Sequence, residues 1–110
     1  ELPLNFNFPM SDAILDALRT GSRTPVESVV RSMAALYPEG VRDAPFLTNH
    51  DQVRIASQLA GNAGGLRSAA SVLLTLPGVP FLYYGEEVGL ANGTAQGDEA
   101  KRTPMPWSDG

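Results

Sequence analysis

Residues 78–87 read Gly-Val-Pro-Phe-Leu-Tyr-Tyr-Gly-Glu-Glu. The core of this stretch, 79–84, is an unbroken apolar and aromatic run that stops at glycine and two carboxylates. A run of that length and composition predicts a strand buried on both faces, the habit of parallel sheets covered by helices. Two further segments support the same reading. "PLNFNF" at 3–8 alternates Leu4, Phe6 and Phe8 with Asn5 and Asn7, which is strand periodicity. "PFLT" at 45–48 is a short apolar rise that ends at Asn49-His50-Asp51.

Helical patterns separate these strands. Ser11 as N-cap, with Ala13, Ile14, Ala17 and Leu18 on one face, predicts a helix over 11–20 closed by Gly21. Thr24-Pro25-Val26-Glu27 reads as a capping box opening a helix over 25–37. A longer helix is expected over 52–76, broken by "GNAGG" at 61–65. Residues 85–110 have little periodicity and read as loop. Strand, helix pair, strand, broken helix, strand is the order of right-handed βαβ units, an α/β fold with a parallel sheet. Three such strands leave unpaired edges, so a piece of a larger α/β protein is expected, and an isolated copy should self-associate through those edges.

Bulk properties exclude several classes. The chain of 110 residues is 43% hydrophobic and 18% charged, a globular composition. A net charge of −4 with no basic stripe argues against nucleic acid. No apolar run reaches the ~18 residues of a membrane span. The absence of cysteine removes disulfides, thiolate nucleophiles and zinc–thiolate sites. The chain opens on "ELPLNF", without an initiator Met or signal-like segment, and stops at "PWSDG"; both ends read as cuts within a longer chain. No feature assigns a compartment.

Sites in parallel α/β proteins collect at the carboxyl ends of strands. Two polar groups fall there: Asn49-His50-Asp51, with the chain's one histidine, and Gly85-Glu86-Glu87. Carboxylates beside a histidine, without thiols, suit carboxylate-based hydrolysis such as glycoside cleavage. Plainer readings stand beside this. Asp51 is also placed to N-cap a helix starting near Gln52. A lone histidine can be a satisfied structural group, and Glu86 and Glu87 can be solvated. "GNAGG" follows a helix and does not match a phosphate-cradling G-x-G-x-x-G. Asp43, Asp51, Glu86, Glu87, Asp98 and Glu99 are oxygen donors, but no calcium-loop spacing appears. No metal or cofactor is therefore expected here, while calcium stays open for a longer parent protein.

Taken together, "FLTNHD" (46–51), "GVPFLYYGEEVGL" (78–90) and "RTPMPW" (102–107) resemble the α-amylase family, glycoside hydrolase family 13. The resemblance runs in order over nearly the whole chain. It implies a partial TIM (β/α)8 barrel, with strands six to eight and their intervening helices. It also implies part of a retaining α-glucan or α-glucoside hydrolase or transglycosylase. Asp51 would be the third of the family's carboxylates, gripping ring hydroxyls of the reacting sugar, and His50 would hydrogen-bond the same sugar. Arg102 matches the arginine of an R-x-P-M-x-W stretch that lies near substrate. Glu86 and Glu87 match a Y-G-x-E stretch that is mostly structural. Trp107 would be a sugar platform or loop packing. The family's nucleophile and general acid follow its fourth and fifth strands, which this chain lacks, so the 110 residues alone are expected to be inactive. Two other expectations remain: a non-catalytic carbohydrate-binding or scaffold relative, and an unrelated small α/β binding domain.

Overall fold

The computed structural model describes residues 3–108. Expectations touching residues 1, 2, 109 and 110 lie outside the described residues. Strand β1 (Leu4–Phe6) leads into helix α1 (Phe8–Thr20), which is followed by α2 (Thr24–Leu36) and strand β2 (Arg42–Ala44). A short helix α3 (Ile55–Gln58) and a longer α4 (Ala63–Thr75) come next. Two short 3₁₀ segments, Glu86–Val88 and Gly97–Lys101, punctuate the remainder.

β1 and β2 pair in parallel, with Leu4 opposite Arg42 and Phe6 opposite Ala44. A third extended segment lies beside β2. Val79 N–H donates to Asp43 O (2.8 Å) and Phe81 N–H to Pro45 O (2.9 Å), forming a parallel bridge between Phe46 and Phe81. The three strands are therefore neighbours in chain order and run the same way, so their carboxyl ends share one rim.

The ladders are shorter than the apolar runs suggest, and the middle one is displaced. The expected strand at 45–48 begins instead at Arg42, because Pro45 has no N–H to give to a ladder. The expected strand at 79–84 keeps only the bridge at Phe81. Nor is that segment buried on both faces: Leu82 is 59% exposed and Phe81 37%. Burial on both faces needs a strand on the far edge and a covering layer, and the described residues supply neither. Phe6 and Phe8, half exposed, show the same uncovered surface at the opposite edge.

Three helix starts also differ. Asn7, not Ser11, caps α1, its side chain accepting from Met10 N–H. Ser11 is drawn into the core, where its hydroxyl donates to Leu47 O (2.6 Å). α2 shows no side-chain cap; Glu27 instead pairs with Arg23 one turn back. Residues 52–54 are not helical, and the helix break falls at 59–62, where Ala60 and Gly61 take positive φ. Asn62 then caps α4 by accepting from Gly65 N–H (3.1 Å), which leaves Gly64 and Gly65 inside the helix.

The core is one cluster of Met10, Ile14, Leu47, Ile55, Ala69 and Leu73. It joins α1, α4 and the strand-to-α3 connection into one body under the sheet. One backbone feature sets the approach of the third segment. Gly78 has φ +116°, and a Cβ there would sit 2.4 Å from Asp43 O. Gly78→Ala is therefore expected to destabilise the protein by at least about 2 kcal/mol, from backbone strain plus displacement of the strand. Urea unfolding checks this; an unchanged midpoint would show that the segment can shift freely.

Candidate functional site

The carboxyl end of β2 continues through buried Phe46, Leu47 and Thr48 to a tight turn at Asn49–Gln52. Gln52 N–H closes the turn on Asn49 O, and Asn49 Oδ1 accepts from Asp51 N–H (2.9 Å). Asn49 thus spends its side chain on the backbone and lifts the next two residues out of the core. The side chains of His50 and Asp51 are 62% and 64% exposed. His50 Nε2 and Asp51 Oδ2 stand 3.4 Å apart. Asp51 caps no helix, since α3 begins only at Ile55. That settles the plainer reading: the carboxylate is free for other partners.

Arg102 joins this pair. Its Nη2 lies 3.1 Å from Asp51 Oδ1 and 3.4 Å from Asp98 Oδ2, and its Nε donates to His50 O (3.2 Å). His50, Asp51 and Arg102, named from the sequence, are thus brought together from positions about fifty residues apart. Lys101, which the sequence did not single out, donates to Asp51 O (2.9 Å) and pairs with Asp98 (3.1 Å). The Lys101 hydrogen bond and charge, then Arg102, hold the Asp98 carboxyl below the usual range.

The pair overlooks a cleft of about 320 Å³. Its floor is aromatic: Phe6 meets Phe81 edge-on at 4.9 Å, and Phe8 meets Phe46 at 5.0 Å between centroids. His50, Asp51 and Asn49 form the polar side of the same cleft. An apolar floor with a few convergent polar groups is the usual make-up of a small-molecule site.

Glu86 does not point at chemistry. Thr48 Oγ1 donates to its Oε1 (2.6 Å) and Tyr83 N–H to its Oε2 (3.1 Å). Burial pushes its carboxyl up, against the pull of those hydrogen bonds and of the Arg54 charge. It ties the exit of the third segment to the end of β2. Glu87 is exposed. Trp107 is 89% exposed and is not packed within a loop among the described residues.

Arg54 is the second residue that the sequence reading missed. It is fully buried, with its guanidinium 4.6 Å from the ring centres of both Tyr83 and Tyr84. Its Nη1 donates to Tyr84 O (2.7 Å). Gly85, at φ +86°, lies against it; a Cβ there would meet Leu90 at 2.7 Å and Arg54 Nη1 at 3.2 Å. Its only sequence signal is an arginine three residues after Asp51, too weak to separate from an ordinary surface charge. Among the described residues no group of three or more His, Asp or Glu side chains is placed to hold a metal ion. No helix among them is long and apolar enough to cross a membrane.

The chain resembles known proteins over nearly its whole length. The family description "Alpha amylase, catalytic domain" matches residues 1–110. "Alpha-amylase 3" of Dictyoglomus thermophilum is 40% identical over 98% of the chain, and a "Trehalose synthase" of Thermus thermophilus is 30% identical over 94%. The crystal structure of an alpha-amylase from H. orenii superposes with a TM-score of 0.88 at 38% identity, covering 97% of this chain. The chain spans 22% of the Dictyoglomus protein, 14% of the Thermus protein and 22% of the H. orenii chain. The parallel strands and helices are accordingly part of a (β/α)8 barrel.

Proposed function

The chain belongs to the alpha-amylase family, and on that premise we propose that it supplies the glucosyl-gripping wall of an enzyme acting on α-linked glucans or glucosides. The observation that carries this is the exposed His50–Asp51 pair at the carboxyl rim of three parallel strands, above an aromatic cleft. An ionised carboxylate only accepts hydrogen bonds, whereas an imidazole N–H donates one. Adjacent sugar hydroxyls need both, one to give a proton to Asp51 and one to receive from His50. The 3.4 Å gap between the two side chains leaves them to meet neighbouring hydroxyls without first closing on each other. Arg102 holds one carboxylate oxygen and leaves the other toward the cleft side where His50 stands.

Retaining glycoside cleavage passes through an oxocarbenium-like transition state, in which the sugar ring flattens. Hydroxyls held at a fixed spacing favour that shape if their hydrogen bonds shorten as it forms, and binding of this differential kind lowers the barrier. The bond-breaking step needs a nucleophilic and an acidic carboxyl about 5–5.5 Å apart on either side of the bond. Asp51 serves neither role. In this reading the two carboxyls come from the fourth and fifth barrel strands of the longer protein, which acts as hydrolase or transglycosylase. The exposed Phe6 and Phe8 lie on the edge that the fifth strand would adjoin and Leu82 on the edge that the first strand would adjoin, and with both edges open the isolated chain is expected to self-associate.

Two samples test the proposal: the 110-residue chain alone and the full-length protein that carries it. Both are assayed on soluble starch and p-nitrophenyl α-glucosides. Full-length turnover with none above blank from the chain alone is expected. Turnover by the chain alone, or a full-length protein inert on every α-glucan, would overturn it.

A further inference from the structure

We propose that Lys101 is the positioning residue that fixes the His50–Asp51 turn, an inference that rests on the sugar-gripping role proposed above. The turn presents two backbone carbonyls at the rim, and successive side chains cap both of them. Lys101 Nζ donates to Asp51 O (2.9 Å) and Arg102 Nε to His50 O (3.2 Å). Arg102 also touches the Asp51 carboxylate, whereas Lys101 reaches Asp51 only through its backbone. Its influence on the carboxylate is therefore one of placement.

The lysine acts from a moored base. Tyr83 OH donates to the backbone carbonyl of Lys101 itself (3.0 Å), and Tyr84 OH to that of Thr103 (2.7 Å). Gly93 N–H donates to Ala100 O (2.8 Å), which fixes the residue before it. Both tyrosine rings rest on the buried Arg54 guanidinium. Asp98 takes the lysine's charge at 3.1 Å, and the Lys101 side chain is only 19% exposed. The ammonium thus sits in a defined place, with one proton committed to the turn and another to its counter-ion. A long side chain held at both ends loses little further freedom when the sugar arrives, so the turn is preorganised before binding.

The test uses the full-length protein with Lys101→Met and Lys101→Arg. Methionine keeps the stem and removes the donor; arginine restores a donor. Hydrogen–deuterium exchange is read on the peptide spanning 49–54, and kcat and KM on maltooligosaccharides. Losing one charge-assisted hydrogen bond should speed exchange in 49–54 about tenfold and lower kcat/KM by a similar factor. The loss should fall mainly on kcat, because Asp51 matters most in the transition state. Lys101→Arg should recover most of both. Unchanged exchange at 49–54 in Lys101→Met would overturn the proposal, as would exchange that rises throughout the protein together with a fallen melting temperature. A wild-type protein without glucan turnover would sink the functional reading, while the exchange result would still decide the role of the lysine.

Discussion

Asp51→Asn in the full-length protein is expected to lower kcat/KM on maltooligosaccharides about 10³-fold, while leaving the melting temperature within a few degrees of wild type. The substitution is nearly isosteric. It removes the charge and turns one acceptor into a donor, so the hydroxyl that should donate to Oδ2 meets an N–H instead. The kinetic loss follows from an interaction that strengthens as the sugar ring flattens. The small structural effect follows from exposure: Asp51 and Arg102 are 64% and 45% exposed, and ion pairs of that kind contribute little to stability. Steady-state kinetics and a thermal melt check both halves. A kinetic loss below tenfold would remove Asp51 from the reaction. A collapse in melting temperature would make it a structural residue.

Arg54→Ala is expected to have the largest effect on folding, about 3–4 kcal/mol of lost stability, read as the shift of the urea midpoint at constant slope. Three losses combine. The guanidinium is packed against two adjoining tyrosine rings at 4.6 Å, its Nη1 satisfies Tyr84 O at 2.7 Å, and its removal leaves a void in a fully buried place. A counter-effect limits the total. Its Nε and Nη2 have no hydrogen-bond partner among the described residues, so burying the cation is itself costly. Arg54→Met should therefore lose only about half as much, because it refills the space without a charge to bury. If alanine costs under about 1 kcal/mol, the strut between α3 and the third strand segment is not a strut.

Much of this architecture was legible because it rests on local periodicity. The alternation at Leu4-Asn5-Phe6 and the apolar face of α1 need no tertiary knowledge. Where several residues of one capping type compete, the sequence is ambiguous. Asn7 and Ser11 can both cap a helix, and only the three-dimensional demand of Leu47 O for a donor assigns Ser11 elsewhere. Arg42-Asp43-Ala44 does not look like a strand, since what makes it one is the parallel partner at Leu4–Phe6, far upstream in the chain. The site divides in the same way. His50 and Asp51 are adjacent at a strand end and could be read together; Arg102 came only through the family resemblance. Lys101 and Arg54 act through partners thirty to fifty positions away, and single-residue chemistry carries no trace of those distances.

The Thr48–Glu86, Arg54–Tyr84 and Asp51–Lys101 contacts have a practical meaning for anyone shuffling segments between homologous proteins. A crossover inside α4 would give each offspring half of all three contacts, taken from parents that never tuned them to each other. A crossover at the Gly21–Arg23 bend separates none of them, so these three ties pass to the hybrid as a single heritable block, parted only from the Phe6 and Phe8 side of the cleft.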